Sequence, residues 1–182
     1  LDCGGFTVNY SETINQAGIW TNGSDAVIKN CIINKTGGTG SNNYGIYVFG
    51  RNATIVNNSI YTYGTSSNYG VYVSGSGNTS IMNNTIFAKG TAASNYGVYL
   101  DVDNNSVLNN TVNTNGTSSN YGLFVSAGGA NVLSGNVVVT GGKSNANHGI
   151  YLLGSGNNIV RNNSVRTNGT NSNYGLYVQT SG

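Results

Sequence analysis

The heptapeptide SNYGVYV, at residues 67–73, is one of six near-copies in this chain. The others are NNYGIYV (42–48), SNYGVYL (94–100), SNYGLFV (119–125), ANHGIYL (146–152) and SNYGLYV (172–178). Anchored on the glycine, the series reads Gly18, Gly45, Gly70, Gly97, Gly122, Gly149 and Gly175, with steps of 25–27 residues. A fixed period of that length is the mark of a repeat architecture, one structural unit per copy. After each glycine the chain alternates aliphatic, aromatic, aliphatic, as in Val71-Tyr72-Val73. Period two with β-branched and aromatic residues predicts a strand.

A second short strand follows in each repeat: TIVNNSI (54–60), SIMNNTI (80–86), SVLNNTV (106–112) and IVRNNSV (159–165). An asparagine recurs within it, at Asn30, Asn58, Asn84, Asn110, Asn136 and Asn163. An apolar residue stands three before (Val27, Ile55, Ile81, Val107, Leu133, Val160) and another two after (Ile32, Ile60, Ile86, Val112, Val138, Val165). Glycine and asparagine interrupt every candidate helix, so helical solenoids are rejected. The leucine framework of a leucine-rich repeat is missing. What remains is one coil per repeat, stacked on the next as parallel strands about 4.8 Å apart. The recurring asparagines would face inward as a ladder, their amides bonding from coil to coil. The expected architecture is all-β, a single solenoid domain of about seven coils over residues 1–182.

Composition agrees with a folded, uncharged rod. Only 7% of the 182 residues are charged, the net charge is +2, and 13 are tyrosine. There is no basic footprint for nucleic acid. No apolar run approaches the roughly 20 residues of a membrane span. Proline is absent, while glycine, asparagine, serine and threonine supply turns. The chain opens on Leu1 rather than methionine, which suggests a mature product or an excised domain.

The opening LDCGGFTV, the IVNNSI-type strands and the YGIYV-type strands resemble the right-handed parallel β-helix family, in particular its Asn-rich NosD-type and carbohydrate-binding or sugar-hydrolase repeats. The resemblance spans nearly the whole chain. It implies the fold, while the function varies among lyases, hydrolases, adhesins and passive scaffolds.

Between two inward aliphatics a residue faces outward. That places Trp20, Tyr47, Tyr72, Tyr99, Phe124, Tyr151 and Tyr177 in one exposed aromatic column. Three readings are open: a ladder that stabilises itself, a protein-packing surface, or a platform for sugar rings. The tyrosines before the glycines (Tyr44, Tyr69, Tyr96, Tyr121, Tyr174) are expected to pack into a corner of the coil, with His148 replacing one of them.

Polysaccharide-cleaving relatives use clustered carboxylates, and glycoside hydrolysis needs two within about 5–10 Å. The acids are Asp2, Glu12, Asp25, Asp101 and Asp103. Only Asp101 and Asp103 come close, and neighbouring coils offer Ser74, Ser76, Ser126 and Gly128 rather than a partner base. No catalytic residue is therefore assigned, and the chain is expected not to be an enzyme. The NosD-type resemblance implies copper, which needs His, Cys or Met ligands. One histidine, one methionine and two cysteines are too few, so no metal and no cofactor are expected.

Sequons stand at Asn9, Asn22, Asn34, Asn52, Asn57, Asn78, Asn83, Asn104, Asn109, Asn115, Asn162 and Asn168. Asn57, Asn83, Asn109 and Asn162 each precede a ladder asparagine and are expected to face outward. Cys3 and Cys31 occupy nearly the same column on adjacent coils, within disulfide reach, which favours an oxidising compartment. The expectation is an extracellular or cell-surface structural glycoprotein, archaeal in character, that assembles with copies of itself into a filament, tube or sheath. Its first coil is apolar and its last segment, GLYVQTSG, carries neither charge nor proline, so coil ends are the expected contacts. A carbohydrate-binding surface module, or the scaffold fragment of a polysaccharide lyase or hydrolase, is the alternative.

Overall fold

A computed structural model describes residues 1–10, 16–154 and 156–179; Glu12 and the terminal residues 180–182 lie outside the described residues. The described chain is all-β, with no helix. Three short strands build each coil. Sheet A holds β3 (Val27–Lys29), β6 (Thr54–Val56), β9 (Ser80–Met82), β12 (Ser106–Leu108), β15 (Val132–Ser134) and β18 (Ile159–Arg161). Sheet B holds β1 (Thr7–Tyr10), β4 (Ile32–Lys35), β7 (Ser59–Gly64), β10 (Thr85–Gly90), β13 (Thr111–Gly116), β16 (Val137–Gly142) and β19 (Ser164–Asn168). Sheet C holds β2 (Gln16–Thr21), β5 (Asn43–Val48), β8 (Tyr69–Val73), β11 (Tyr96–Leu100), β14 (Tyr121–Val125), β17 (Ile150–Leu153) and β20 (Leu176–Gln179). Every named strand pairing is parallel and joins a strand to its equivalent one coil away. The result is a parallel β-solenoid of about six full turns after a partial first coil, in which Asp2 makes a single bridge to Lys29.

The core is a set of stacked aliphatic columns. Ile55, Ile81, Val107 and Leu133 point inward from sheet A, Ile60, Ile86, Val112 and Val138 from sheet B, and Ile46, Val71, Val98 and Leu123 from sheet C, all essentially fully buried. Each such side chain contributes about 1.5–3 kcal/mol by leaving water.

All three corners of the coil use one device. A residue in the left-handed region turns the chain, and the next residue points inward. At the A-to-B corner the left-handed residues are Asn30, Asn57, Asn83, Asn109, Gly135 and Asn162. At the B-to-C corner they are Asn42, Ser67, Ser94, Ser119, Ala146 and Ser172, and at the C-to-A corner Asp25, Asn52, Asn78, Asn104, Ala130 and Asn157. Asparagine is the side chain that tolerates this conformation best after glycine.

The inward residues form ladders. At the A-to-B corner Asn58, Asn84, Asn110, Asn136 and Asn163 bond in sequence, each amide donating to the next Oδ1 at 2.9–3.0 Å. The expected first member is displaced by one residue. Asn30 sits at the left-handed turn position, and Cys31 takes the ladder place, its backbone N–H donating to Asn58 Oδ1 at 3.0 Å. For the same reason Ile28 and Ile33, not Val27 and Ile32, pair with Ile55 and Ile60 and are buried, while Val27 and Ile32 are exposed. The first copy reads Asn-Cys where later ones read Asn-Asn or, at 135–136, Gly-Asn, and the lone asparagine belongs to the turn.

A second ladder lies inside the quoted heptapeptide and was not singled out from sequence. Asn43, Asn68, Asn95, Asn120, Asn147 and Asn173 bond amide to amide at 2.7–3.1 Å. A shorter third one joins Asn105 to Asn131 at the C-to-A corner at 3.0 Å. Most buried polar groups of the turns are thus satisfied by side chains from adjacent coils; Asn43 Oδ1, Thr79 Oγ1 and Asn131 Nδ2 are the exceptions among these inward turn residues.

Candidate functional site

The outward face of sheet C carries the aromatic residues. Strict alternation from Val71 would turn Tyr69 inward, because the two are two residues apart. The chain breaks alternation at the glycine instead. At Gly70 a Cβ would lie 2.1 Å from Ile86 Cγ2 and 2.7 Å from the Gly97 carbonyl oxygen. Glycine and the following aliphatic therefore both face the interior, and the tyrosines on either side both face out. The tyrosines before the glycines are thus not corner residues. They form a second column beside the expected one.

The first column stacks Tyr47 on Tyr72 (4.9 Å, 11°), Tyr72 on Tyr99 (4.8 Å, 13°), Tyr99 on Phe124 (5.0 Å, 16°) and Phe124 on Tyr151 (5.0 Å, 20°), and continues to Tyr177. The second stacks Tyr44, Tyr69, Tyr96, Tyr121, His148 and Tyr174, with ring centroids 4.8–5.4 Å apart. The columns meet edge to face, as at Tyr96–Tyr99 (5.7 Å, 82°). Quadrupoles favour both arrangements. Together they make an apolar cluster outside the solenoid core.

This packing corrects the expectation of an exposed strip. Phe124 and Tyr151 are only 7% and 8% exposed, and Tyr47, Tyr72 and Tyr99 are half-buried. Ring faces along the middle of the ladder are covered by the rings above and below, leaving edges to solvent. Burial raises the hydroxyl pKa of Tyr72 and Tyr96 to about 12. Burial also lowers the imidazole pKa of His148, whose Nδ1 accepts the Tyr174 backbone N–H at 3.2 Å.

The ladder is incomplete at its first coil. Ala17 pairs with Tyr44, so among the described residues no ring of the preceding coil stacks on Tyr44. Trp20, 57% exposed, stands beside it. Gln16, Ala17, Trp20, Tyr44 and Tyr47 line an open cleft of about 410 Å³.

The four described acids bond to turn residues. Asp101 Oδ1 accepts from Ser126 Oγ at 2.6 Å, and Asp103 Oδ1 accepts the Gly129 backbone N–H at 2.6 Å. Asp25 Oδ1 accepts from Asn52 Nδ2 at 3.0 Å. The Asn30 amide, 3.0 Å from Asp2 Oδ1, is the main reason that the Asp2 carboxyl titrates below its ordinary value. Asp101 and Asp103 border a shallow cleft of about 430 Å³ with Gly75, Asn78 and Gly128. Among the described residues no three His, Cys, Asp or Glu side chains gather closely enough to hold a metal ion.

Cys3 and Cys31 are bridged, with Cα atoms 4.8 Å apart. The disulfide continues the A-to-B ladder column upward from Asn58. Of the sequon asparagines, Asn34 is half-buried and the others are exposed. Asn52, Asn57, Asn78, Asn83, Asn104, Asn109 and Asn162 all sit at left-handed turn positions, so the solenoid has its own use for asparagine there.

The family model described as "Right handed beta helix region" matches residues 2–165. The chain belongs to the right-handed β-helix family. No curated protein and no solved structure matches it. As a β-helix repeat domain it shares a scaffold used for many chemistries, so its function must be argued from its own surfaces.

Proposed function

We propose that this β-helix is a non-catalytic structural subunit, extracellular or on a cell surface, that assembles with its own copies by stacking coil on coil. One observation carries the reading: among the described residues, β2 and β20 at the two edges of sheet C carry side chains in columns that continue one another. In β20, Leu176 and Val178 are 49% and 52% exposed and lie in the columns of Ile150 and Leu152. In β2, Ile19 and Thr21 head those same columns above Ile46 and Val48. A second copy laid in register would set Leu176 on Ile19 and Tyr177 on Trp20. This is a heterologous contact that does not close, which produces filaments. An oxidising location is supported by the Cys3–Cys31 bridge. Exposed Asn57, Asn83, Asn109 and Asn162 are accessible to N-glycans.

Light scattering across a concentration series, with electron microscopy, tests the reading. Rods of constant width that lengthen with concentration are expected, and replacing Leu176 and Val178 together by lysine should stop growth. A chain that stays monomeric at high concentration would overturn it. Glycopeptide mass spectrometry of the native material is expected to find a glycan on at least one of Asn57, Asn83, Asn109 and Asn162; four bare sites would remove the glycoprotein part.

A further inference from the structure

We infer that Tyr99 is a redox-active tyrosine, the place where a one-electron oxidation of the aromatic ladder comes to rest. The inference is independent of assembly. It rests on the rings that Tyr99 touches and on the proton acceptor that its phenol reaches.

Tyr99 is a junction. It stacks on Tyr72 at 4.8 Å, and Tyr72 stacks on Tyr47 at 4.9 Å. Two rings of the second column, Tyr69 and Tyr96, meet it edge to face at 5.3 and 5.7 Å. The next ring of its own column is Phe124, at 5.0 Å, which has no phenolic proton to lose. An electron vacancy made at Tyr47, Tyr69, Tyr72 or Tyr96 therefore has a path of touching rings to Tyr99.

A phenol gives up an electron readily only when its proton can leave as well. Asp101 and Ser126 follow β11 and β14 and lie one coil apart in the same column. Ser126 Oγ is 2.6 Å from Asp101 Oδ1 and 3.0 Å from the Tyr99 hydroxyl. Ser126 has a single hydroxyl proton. The short, charge-assisted contact to the carboxylate is the stronger and takes that proton. The Tyr99 hydroxyl then donates to Ser126 Oγ, which makes a relay from phenol to serine to carboxylate. Other hydroxyls of the column end on neutral groups: Tyr47 meets Ser74 Oγ at 3.0 Å, and Tyr151 donates to Gln179 Oε1 at 2.7 Å.

The oxidant is an outer-sphere one-electron acceptor, a high-valent metal complex by class. It takes one electron from Tyr99, directly or through the stack. The Tyr99 O–H bond breaks, its proton passes to Ser126 Oγ, and the proton of Ser126 passes to Asp101 Oδ1. The products are a neutral Tyr99 phenoxyl radical, a protonated Asp101 and the reduced oxidant.

Tris(bipyridine)ruthenium(III), made by flash photolysis with persulfate, is the test oxidant. A nitroso spin trap is present, and peptide mass spectrometry locates the adduct. Among the 13 tyrosines the adduct is expected to concentrate on Tyr99. Asp101→Asn can still accept from Ser126 but cannot take up the proton, so the adduct at Tyr99 should fall to the level of the other tyrosines. Ser126→Ala, which cuts the relay and leaves the acid, should do the same, with melting curves confirming the fold of both variants. Asp103→Asn, whose parent carboxylate bonds the Gly129 N–H instead, should leave the adduct on Tyr99. An adduct spread evenly over the tyrosines or confined to Trp20, or one that persists at Tyr99 in Asp101→Asn, would overturn the inference.

Discussion

Asn84 gives both its backbone N–H and its side-chain amide to one atom, the Oδ1 of Asn110, at 2.9 and 3.0 Å. The same Asn84 amide reaches back to the Ile55 carbonyl oxygen at 2.9 Å. One buried side chain thus ties three successive coils. Asn110→Ala removes the acceptor from two buried donors and the donor from the Ile81 carbonyl. Each orphaned group costs about 1–3 kcal/mol, so a loss of about 3 kcal/mol or more is expected in urea unfolding. Asn163→Ala, in the half-buried last rung, should cost clearly less. Equal losses would show that the ladder does not act through burial.

The repeat glycines divide by position. At Gly97 a Cβ would fall 2.1 Å from Val112 Cγ1 and 2.6 Å from the Gly122 carbonyl oxygen. At Gly175 the nearest atom would be 3.9 Å away. Gly97→Ala should therefore lower stability by about 1–3 kcal/mol or more. Gly175→Ala should fall within about 0.5 kcal/mol of the parent. Thermal melts of the two variants decide between space and backbone freedom as the reason for glycine.

The bridge between Cys3 and Cys31 spans 28 residues. Closing a loop of that length in the unfolded chain is worth about 3–4 kcal/mol. Reduction should add two hydrogens to the intact mass and lower the melting temperature. Two free thiols in the native protein would refute the pairing.

Alkali should open the aromatic ladder. Tyr72 and Tyr96 titrate near 12 when folded, above the ordinary tyrosine value of 10.0, chiefly because burial disfavours the phenolate. The folded state then holds protons that the unfolded state releases. Their contribution is complete below pH 10 and is lost as pH rises from 10 through 12. Phenolate absorbance near 295 nm should appear together with loss of β-sheet circular dichroism. Phenolate formation well before unfolding would count against the buried stack.

His148 predicts the opposite slope in acid. Its folded pKa is lowered from 6.5 by burial, so its contribution is present above that value and is lost as pH falls below it. His148→Tyr restores the residue used by the other coils and should flatten stability between pH 7 and 5. An unchanged slope in this variant would assign the acid sensitivity elsewhere.

The period, the strands and the outward aromatic column were legible because a solenoid repeats its local pattern in every coil. The second asparagine ladder was equally present in SNYGVYV, yet the sequence assigns Asn68 no role, since nothing local says whether a turn asparagine points in or out. The first coil misled for a related reason. Asn30 has the residue type of the ladder and the backbone of the turn, and only pairing of Cys31 with Asn58 separates the two. The cleft at Tyr44 was unreadable, because an alanine in a strand carries no signal until its neighbour one coil away proves to be a ring.

By itself the sequence determined the coil length, the inward aliphatics and the reach of Cys3 to Cys31, all of which follow from spacing along one chain. Only the tertiary structure decided which faces of the rings remain free. Ring exposure depends on contacts between residues 25–27 apart and on the break in alternation at glycine. Those contacts bury Phe124 and Tyr151 in the stack and leave Trp20 exposed at its edge.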